Sequence, residues 1–301
     1  MRSRVVVMLA FAAMLLGVFV VFAQEPGDDD VRGAFLSSRP KTANTNAPSR
    51  RHRPRNTNAN SNTSSGSSKN SNADSAVANA NTSRHSSKNS PPAIGLGYTL
   101  FMRDADGRGL RVEPGHEFHN GDRVRISLEP NVDGYLYVFH TENDGAPEMI
   151  YPDSRLDGGD NSVEAHVPLE VPSAEESDDR LRWFTFYGNR GTEHLYVVVT
   201  REPLNSVPAG DELVALCTTN KDKCPWHPSN DVWDRVMRDM LRSNIRVVTA
   251  KQFGQAQTDT EKLATTRGLG LDQSAPQPSV IRINASTTDP MLVTVLDLIH
   301  K

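Results

Sequence analysis

The sequence predicts a mainly β domain of the α+β class, an antiparallel β-sandwich or partly open barrel with a small two-helix insertion, preceded by a disordered tether. Three observations carry this expectation. At least eight short segments alternate or run apolar, bounded by Gly, Pro, Asn or Asp, as short strands joined by tight turns require. Two later segments place apolar residues at helical spacing instead. Ahead of all of them, a tract of Asn, Ser, Thr and Ala has almost no large apolar residue. Such a tract cannot bury enough surface to offset the entropy of ordering.

The plainest strand signal lies at 121–139, GDRVRISLEPNVDGYLYVF. Val124, Ile126 and Leu128 alternate with Arg123, Arg125 and Ser127, which predicts one apolar and one wet face. Asn131, Asp133 and Gly134 suit a tight turn. Tyr135 to Phe139 is aromatic and β-branched, and is expected to return as the buried partner of a hairpin. Upstream, Leu96 to Met102 reads as a strand that turns at Asp104-Ala105-Asp106-Gly107 and returns over Leu110 to Glu113. Downstream, Met149 to Tyr151 is short and apolar. Ser162 to Val171 alternates at Val163, Ala165, Val167 and Leu169, with Pro168 marking an edge or an early end. Leu181 to Tyr187 and His194 to Thr200 follow, the second apolar enough to be central.

The helical insertion spans about 206–243. Pro208 to Leu216 can turn Leu213, Val214 and Leu216 to a core. Asn230 to Arg242 places Val232, Val236 and Met240 at i, i+4 and i+8, and Asn230 or Asp231 can cap its first turn. Ile245 to Thr249, Ser279 to Asn284 and Met291 to His300 return to strands, while the polar stretch Lys251 to Lys262 reads as a loop. So apolar a closing strand is expected to be tied into its sheet, because a bare edge of that kind pairs with other chains.

Three regions result. Residues 1–23 read as a signal peptide or an uncleaved membrane anchor: Arg2 and Arg4 precede an uncharged run from Val5 to Phe22, and Val21-Phe22-Ala23 offers a cleavage site. Either reading places the remainder outside the cytoplasm. Residues 24–92 read as the tether, and 93–301 as the folded domain. The net charge of -4 conceals a strong asymmetry. Ser37 to Pro92 carries nine Lys/Arg against one acid, whereas Ala93 to Lys301 carries 21 against 32. So acidic a domain is a poor holder of nucleic acid, whose affinity rests on neutralised phosphates. The cluster Arg50-Arg51-His52-Arg53-Pro54-Arg55 could grip an anionic envelope polymer or simply keep the tether soluble.

The run Gly121-Asp122-Arg123-Val124-Arg125-Ile126, then Glu129-Pro130, Asp133-Gly134-Tyr135-Leu136-Tyr137-Val138-Phe139 and Ile150-Tyr151-Pro152, resembles the bacterial domain family of unknown function DUF4384. The resemblance covers about Tyr98 to Thr200. It implies a bacterial, often exported module with no catalytic residues attributed to it.

Candidate chemistry is sparse. Cys217 and Cys224, the two cysteines of the chain, are expected to form a structural disulfide if the domain is exported. His116 and His119 could share a metal only if their segment were helical, and Pro114-Gly115 and Asn120-Gly121 favour turns there. The acidic turns at 104–107 and 153–160 are oxygen-rich but lack the spacing of a calcium loop. No Gly-x-Ser-x-Gly elbow or phosphate-binding glycine loop is present. Tyr135, Tyr137, Trp183, Phe184, Phe186 and Tyr187 would form a ligand platform if exposed, and core if not. No catalytic, metal or cofactor residue is assigned. The expected role is a non-catalytic binding or structural module at the bacterial envelope, with an envelope polymer or protein as partner and a membrane contact only through an uncleaved N-terminus. The alternatives are a carboxylate-dependent hydrolase of envelope polymers and an accessory subunit of a secretion or signalling assembly.

Overall fold

The computed structural model describes residues 27–42, 91–174 and 176–301. The expected signal at 1–23 and most of the expected tether lie outside the described residues. The first strands are β1 (Gly95–Arg103), β2 (Gly109–Arg111), β3 (Glu117–Phe118), β4 (Arg123–Pro130), β5 (Gly134–Glu142) and β6 (Glu148–Tyr151). They are followed by β7 (Ser162–Val163), β8 (Leu169–Val171), β9 (Phe184–Thr185) and β10 (Gly191–Thr200). The set closes with β11 (Ile245–Thr249), β12 (Val280–Asn284) and β13 (Met291–His300). Among the described residues, four α-helices accompany them: α1 (Asp28–Ser37), α2 (Gly210–Thr219), α3 (Asn230–Arg242) and α4 (Asp259–Arg267).

Two sheets stack as an open sandwich. Sheet A runs β11-β12-β1-β4-β8, with β2 beside β1 and β9 beside β4; sheet B runs β3-β13-β10-β5-β6, with β7 beside β5. Pairing is antiparallel except where β3 meets the end of β13. The inner faces interdigitate through Val124, Ile126 and Leu128 of β4, Leu136 and Val138 of β5, and Leu195, Val197 and Val199 of β10. That inner core is the main hydrophobic contribution to folding. As expected, β10 is central, between β13 and β5.

The expected hairpin of β4 and β5 does not form. β4 pairs with β1, β8 and β9 in sheet A, whereas β5 pairs with β10, β6 and β7 in sheet B. The turn at 131–133 is therefore an arch from one sheet to the other. The reason lies in β5, which has no wet face: Leu136 and Val138 enter the core between sheets, while Tyr137 and Phe139 enter a second core beneath α2 and α3. A strand buried on both faces must be an inner layer. Ser162 to Val171 likewise divides, β7 joining sheet B and β8 sheet A, with Pro168 in the crossing segment. Of Leu181 to Tyr187 only β9 is strand.

Helices cover the outer face of each sheet. Over sheet B, Leu213 of α2 and Val236 of α3 pack on Tyr137, Phe139, Val198 and Val293. Over sheet A lies α1, whose Val31 and Phe35 pack on Val248 and Ile281. This overturns the expectation that disorder extends unbroken from 24 to 92. Val31 and Phe35 stand one helical turn apart, Arg39 follows just past the C-cap, and all three are buried, so one short apolar stripe with a buried arginine behind it is enough to dock this segment. The expected loop at 251–262 is also corrected, because its last residues begin α4. Thr258 accepts from the Glu261 amide, and the Glu261 carboxylate accepts from the Thr258 amide, a reciprocal cap for the first turn.

Candidate functional site

Sheet A extends two strands, β12 and β11, beyond β1, whereas sheet B ends on that side with β13 and the two residues of β3. A cleft of about 390 Å³ opens there. Its floor is Tyr98 and Leu100 of β1 with Val280 and Arg282 of β12, and Phe118 and His116 close one end. The opposite wall is Val295 to Ile299, five consecutive residues of β13. Because side chains alternate across a strand, an unbroken run of lining residues means that the cleft meets the edge of β13, not one of its faces. Arg282 lies over the Tyr98 ring at 5.8 Å, and its buried Nε has no hydrogen-bond partner.

The outer face of sheet A, expected to be wet, is instead a buried charged layer beneath α1 and α4. Arg39 meets Glu129 through Nε–Oε1 at 2.8 Å and Nη2–Oε2 at 2.7 Å. Arg111 pairs with Glu261 of α4. Arg125 pairs with Glu170 at 3.0 Å, hydrogen-bonds Gln257 and lies 4.3 Å over the Trp183 ring. Burial pushes the Glu170 carboxyl up against the pull of Arg125, and burial pushes the Arg125 guanidinium down against the pull of Glu170. The fold thus holds these charges at a desolvation cost that their pairing offsets.

One corner of this layer has the outline of a nucleophile relay. Ser38 Oγ lies 2.8 Å from His166 Nε2, and His166 Nδ1 lies 2.8 Å from Glu129 Oε1. Nothing in the sequence points to it, since the three residues come from separate segments. Its surroundings are wrong for acyl transfer. Ser38 caps the C-terminus of α1, where carbonyls and the negative dipole end repel a developing oxyanion. Its hydroxyl also lies 2.6 Å from the Phe35 carbonyl, and Arg39 occupies both oxygens of Glu129. The relay is a clasp that holds α1 to β4.

The residues singled out from sequence separate rather than converge. Cys217 at the end of α2 and Cys224 are bridged, with Cα atoms 5.6 Å apart. His116 packs edge-on against Phe118, while His119 is exposed beside Asp122. In the first acidic turn Arg108 holds Asp104 at 2.8 Å and Asp106 at 2.9 Å; in the second, Arg155 holds Asp153 and Ser162 holds Asp160. Among the aromatics Tyr137, Trp183 and Phe186 are buried and Tyr187 alone is 80 % exposed, so they form no platform.

The sequence profile of one family, a domain of unknown function designated DUF4384, matches residues 117–203. Those residues are a DUF4384 domain. No curated protein and no solved structure matches the chain. The DUF4384 match runs from β3 to just past β10 and so contains the arch, β4, β5 and the central strand. The strands that complete the sandwich beyond it, β1, β12 and β13, supply most of the cleft.

Proposed function

We propose that the chain is an exported, non-catalytic binding module of the bacterial cell envelope, with the cleft between β12 and β13 as its ligand site. The observation that carries this reading is the disposition of charge. The buried carboxylates Glu129, Glu170 and Glu261 are each held by an arginine of the same chain, whereas the cleft is mostly apolar and presents backbone. Its one carboxylate, Asp297, is engaged by His194 at 2.7 Å. The rival hydrolase reading would use a second, more open hollow of about 460 Å³, where Asp133 and Glu164 line the wall with Arg201. Asp133 there accepts the Ala165 amide at 2.8 Å, a turn-closing role. Export rests on the N-terminal charge and apolar pattern alone.

The test is co-sedimentation of the full chain with cell-wall and membrane fractions across a salt series, beside a variant with Arg50, Arg51, Arg53 and Arg55 changed to Gln. Pelleting that survives both the substitutions and salt supports a ligand site on the folded domain. Pelleting lost with the arginines moves the grip to the basic stretch, and failure of both proteins to pellet rejects the envelope reading.

A further inference from the structure

β13 is bound along one edge only. From Met291 to His300 it pairs residue by residue with β10, but on its other side β3 meets only Ile299 and His300. The direction of the free groups follows from two bonds: the Lys301 amide donates to Phe118 on the β3 side, and Asn284 Nδ2 reaches the Met291 carbonyl. In an antiparallel pair the N–H and C=O of one residue point the same way and alternate along the strand. The odd-numbered residues Val293, Val295 and Asp297 therefore turn their backbone groups outward, while the even-numbered ones face β10. Opposite this edge, sheet A continues with β12 and β11. Val247 of β11, on the same face as Ile245, which packs half-buried against the core, is 44 % exposed. Beside the rest of β13 sheet B has no further strand where sheet A continues, and the cleft is the space in which such a strand would lie.

We propose that the cleft receives an extended segment of another protein, which adds to the edge of β13 as a further strand of sheet B and places an acidic side chain against Arg282. The proposal rests on the binding-module reading and names the class of its ligand. The main-chain ladder supplies affinity in such an arrangement, and the side-chain contacts supply selection. Alternate apolar residues of the incoming strand would face Tyr98 and Val280. Charge selects the partner: Arg282 forms no ion pair among the described residues, and its buried Nε has no acceptor. The chain's own stretch 43–90 has the wrong chemistry for this place, being basic and almost free of large apolar residues.

The experiment uses the full chain and two capped, fluorescein-labelled peptides, TVTETVT and TVTKTVT, read by anisotropy and by amide hydrogen exchange. In the free protein the amides of Val293, Val295 and Asp297 exchange fast and those of Leu292, Thr294 and Leu296 slowly. The glutamate peptide protects the fast set, and it binds at least about tenfold more tightly than the lysine peptide, as one charge-assisted contact predicts. Arg282→Gln removes that preference. Val295→Pro, which deletes an N–H that no strand uses and so suits an edge, abolishes binding with an unchanged circular dichroism spectrum. The proposal is overturned if the odd-numbered amides are already slow, if neither peptide alters them, or if the protein sediments as a dimer whose dissociation by Val295→Pro exposes them, since a second copy then fills the edge. Peptide binding without co-sedimentation would reject the envelope setting and leave the strand site standing.

Discussion

Arg39 and Glu129 lie 90 positions apart and meet through two parallel hydrogen bonds of 2.8 and 2.7 Å, with both side chains buried. The remaining Arg39 donors reach the carbonyls of Asp272, Ala275 and Pro276. One side chain thereby joins α1, β4 and the segment leading to β12.

Removing this guanidinium leaves the Glu129 carboxylate buried beside His166 with its strongest partner gone. Arg39→Gln should cost about 3–5 kcal/mol, the usual penalty for an uncompensated buried charge. The double change Arg39→Leu with Glu129→Leu should cost less than Arg39→Gln, because no charge is then stranded. Urea denaturation of the three proteins measures this. Equal losses in the single and double variants would show that packing of α1, not the ion pair, carries the stabilisation.

The sequence discloses only part of this arrangement. The inner core was legible because Val124, Ile126 and Leu128 alternate. The outer charged layer was not, since a strand pattern cannot tell a face covered by water from one covered by an arginine paired elsewhere in the chain. Arg125 and Glu170 look like surface residues until Gln257 and α4 are placed over them. The arch between β4 and β5 was legible in principle: Tyr137 and Phe139 opposite Leu136 and Val138 leave β5 no solvent face, which a two-stranded hairpin at the surface would require. For α1 the signal was Val31 and Phe35, one turn apart, a stripe outweighed by the polar composition around it. The cleft had no sequence signal, because a missing neighbour is a property of sheet order.

Helix α4 depends on a cap that also reaches the charged layer. Thr258→Ala removes one half of the capping box and should cost about 1 kcal/mol. Glu261→Gln should cost more, because Glu261 both closes the cap and neutralises the buried Arg111. Thermal melts rank the two. A larger loss for Thr258→Ala would mean that the pairing with Arg111 contributes little.

Gly134 in the DUF4384 motif is explained by a close approach, not by a turn. A Cβ at that position would run into the carbonyl oxygen of Thr200 in the neighbouring β10, and backbone cannot move aside as a flexible side chain can. Gly134→Ala should cost about 1–3 kcal/mol, the range for overpacking a tight contact. Chemical denaturation checks it, and a neutral substitution would show that β5 can shift away from β10.

The Cys217–Cys224 bridge closes a short polar loop, whose 3-10 turn spans Lys221–Lys223, against the end of α2. Replacing both cysteines with Ser should cost about 2–3 kcal/mol in the chain-entropy model and loosen the end of α2. The cleft lies at the β13 edge of sheet B, whereas the segment after Cys224 joins β6 at the opposite edge through Trp226 and Met149, so peptide binding should be unchanged. A comparable loss of binding would connect the two regions and contradict the placement of the site.

His140 should make stability depend on pH in both directions. Its Nε2 lies 2.6 Å from Glu193 and its Nδ1 lies 3.1 Å from Glu148. Burial lowers its pKa, but the hydrogen bonds and charges of the two carboxylates outweigh burial and raise it above the ordinary 6.5. The stabilisation gained by charged His140 is therefore complete below 6.5 and is lost as pH rises through the raised folded value. Glu148 runs the other way. Its bond to His140 holds the carboxyl below its ordinary 4.5, so its contribution is present above 4.5 and is lost as pH falls through the lowered folded value. Melting temperature should form a plateau between these limits and decline on both sides. His140→Gln should flatten the alkaline decline, leaving any fall there to other groups. An alkaline limb that keeps its slope in the variant would remove His140 from the account.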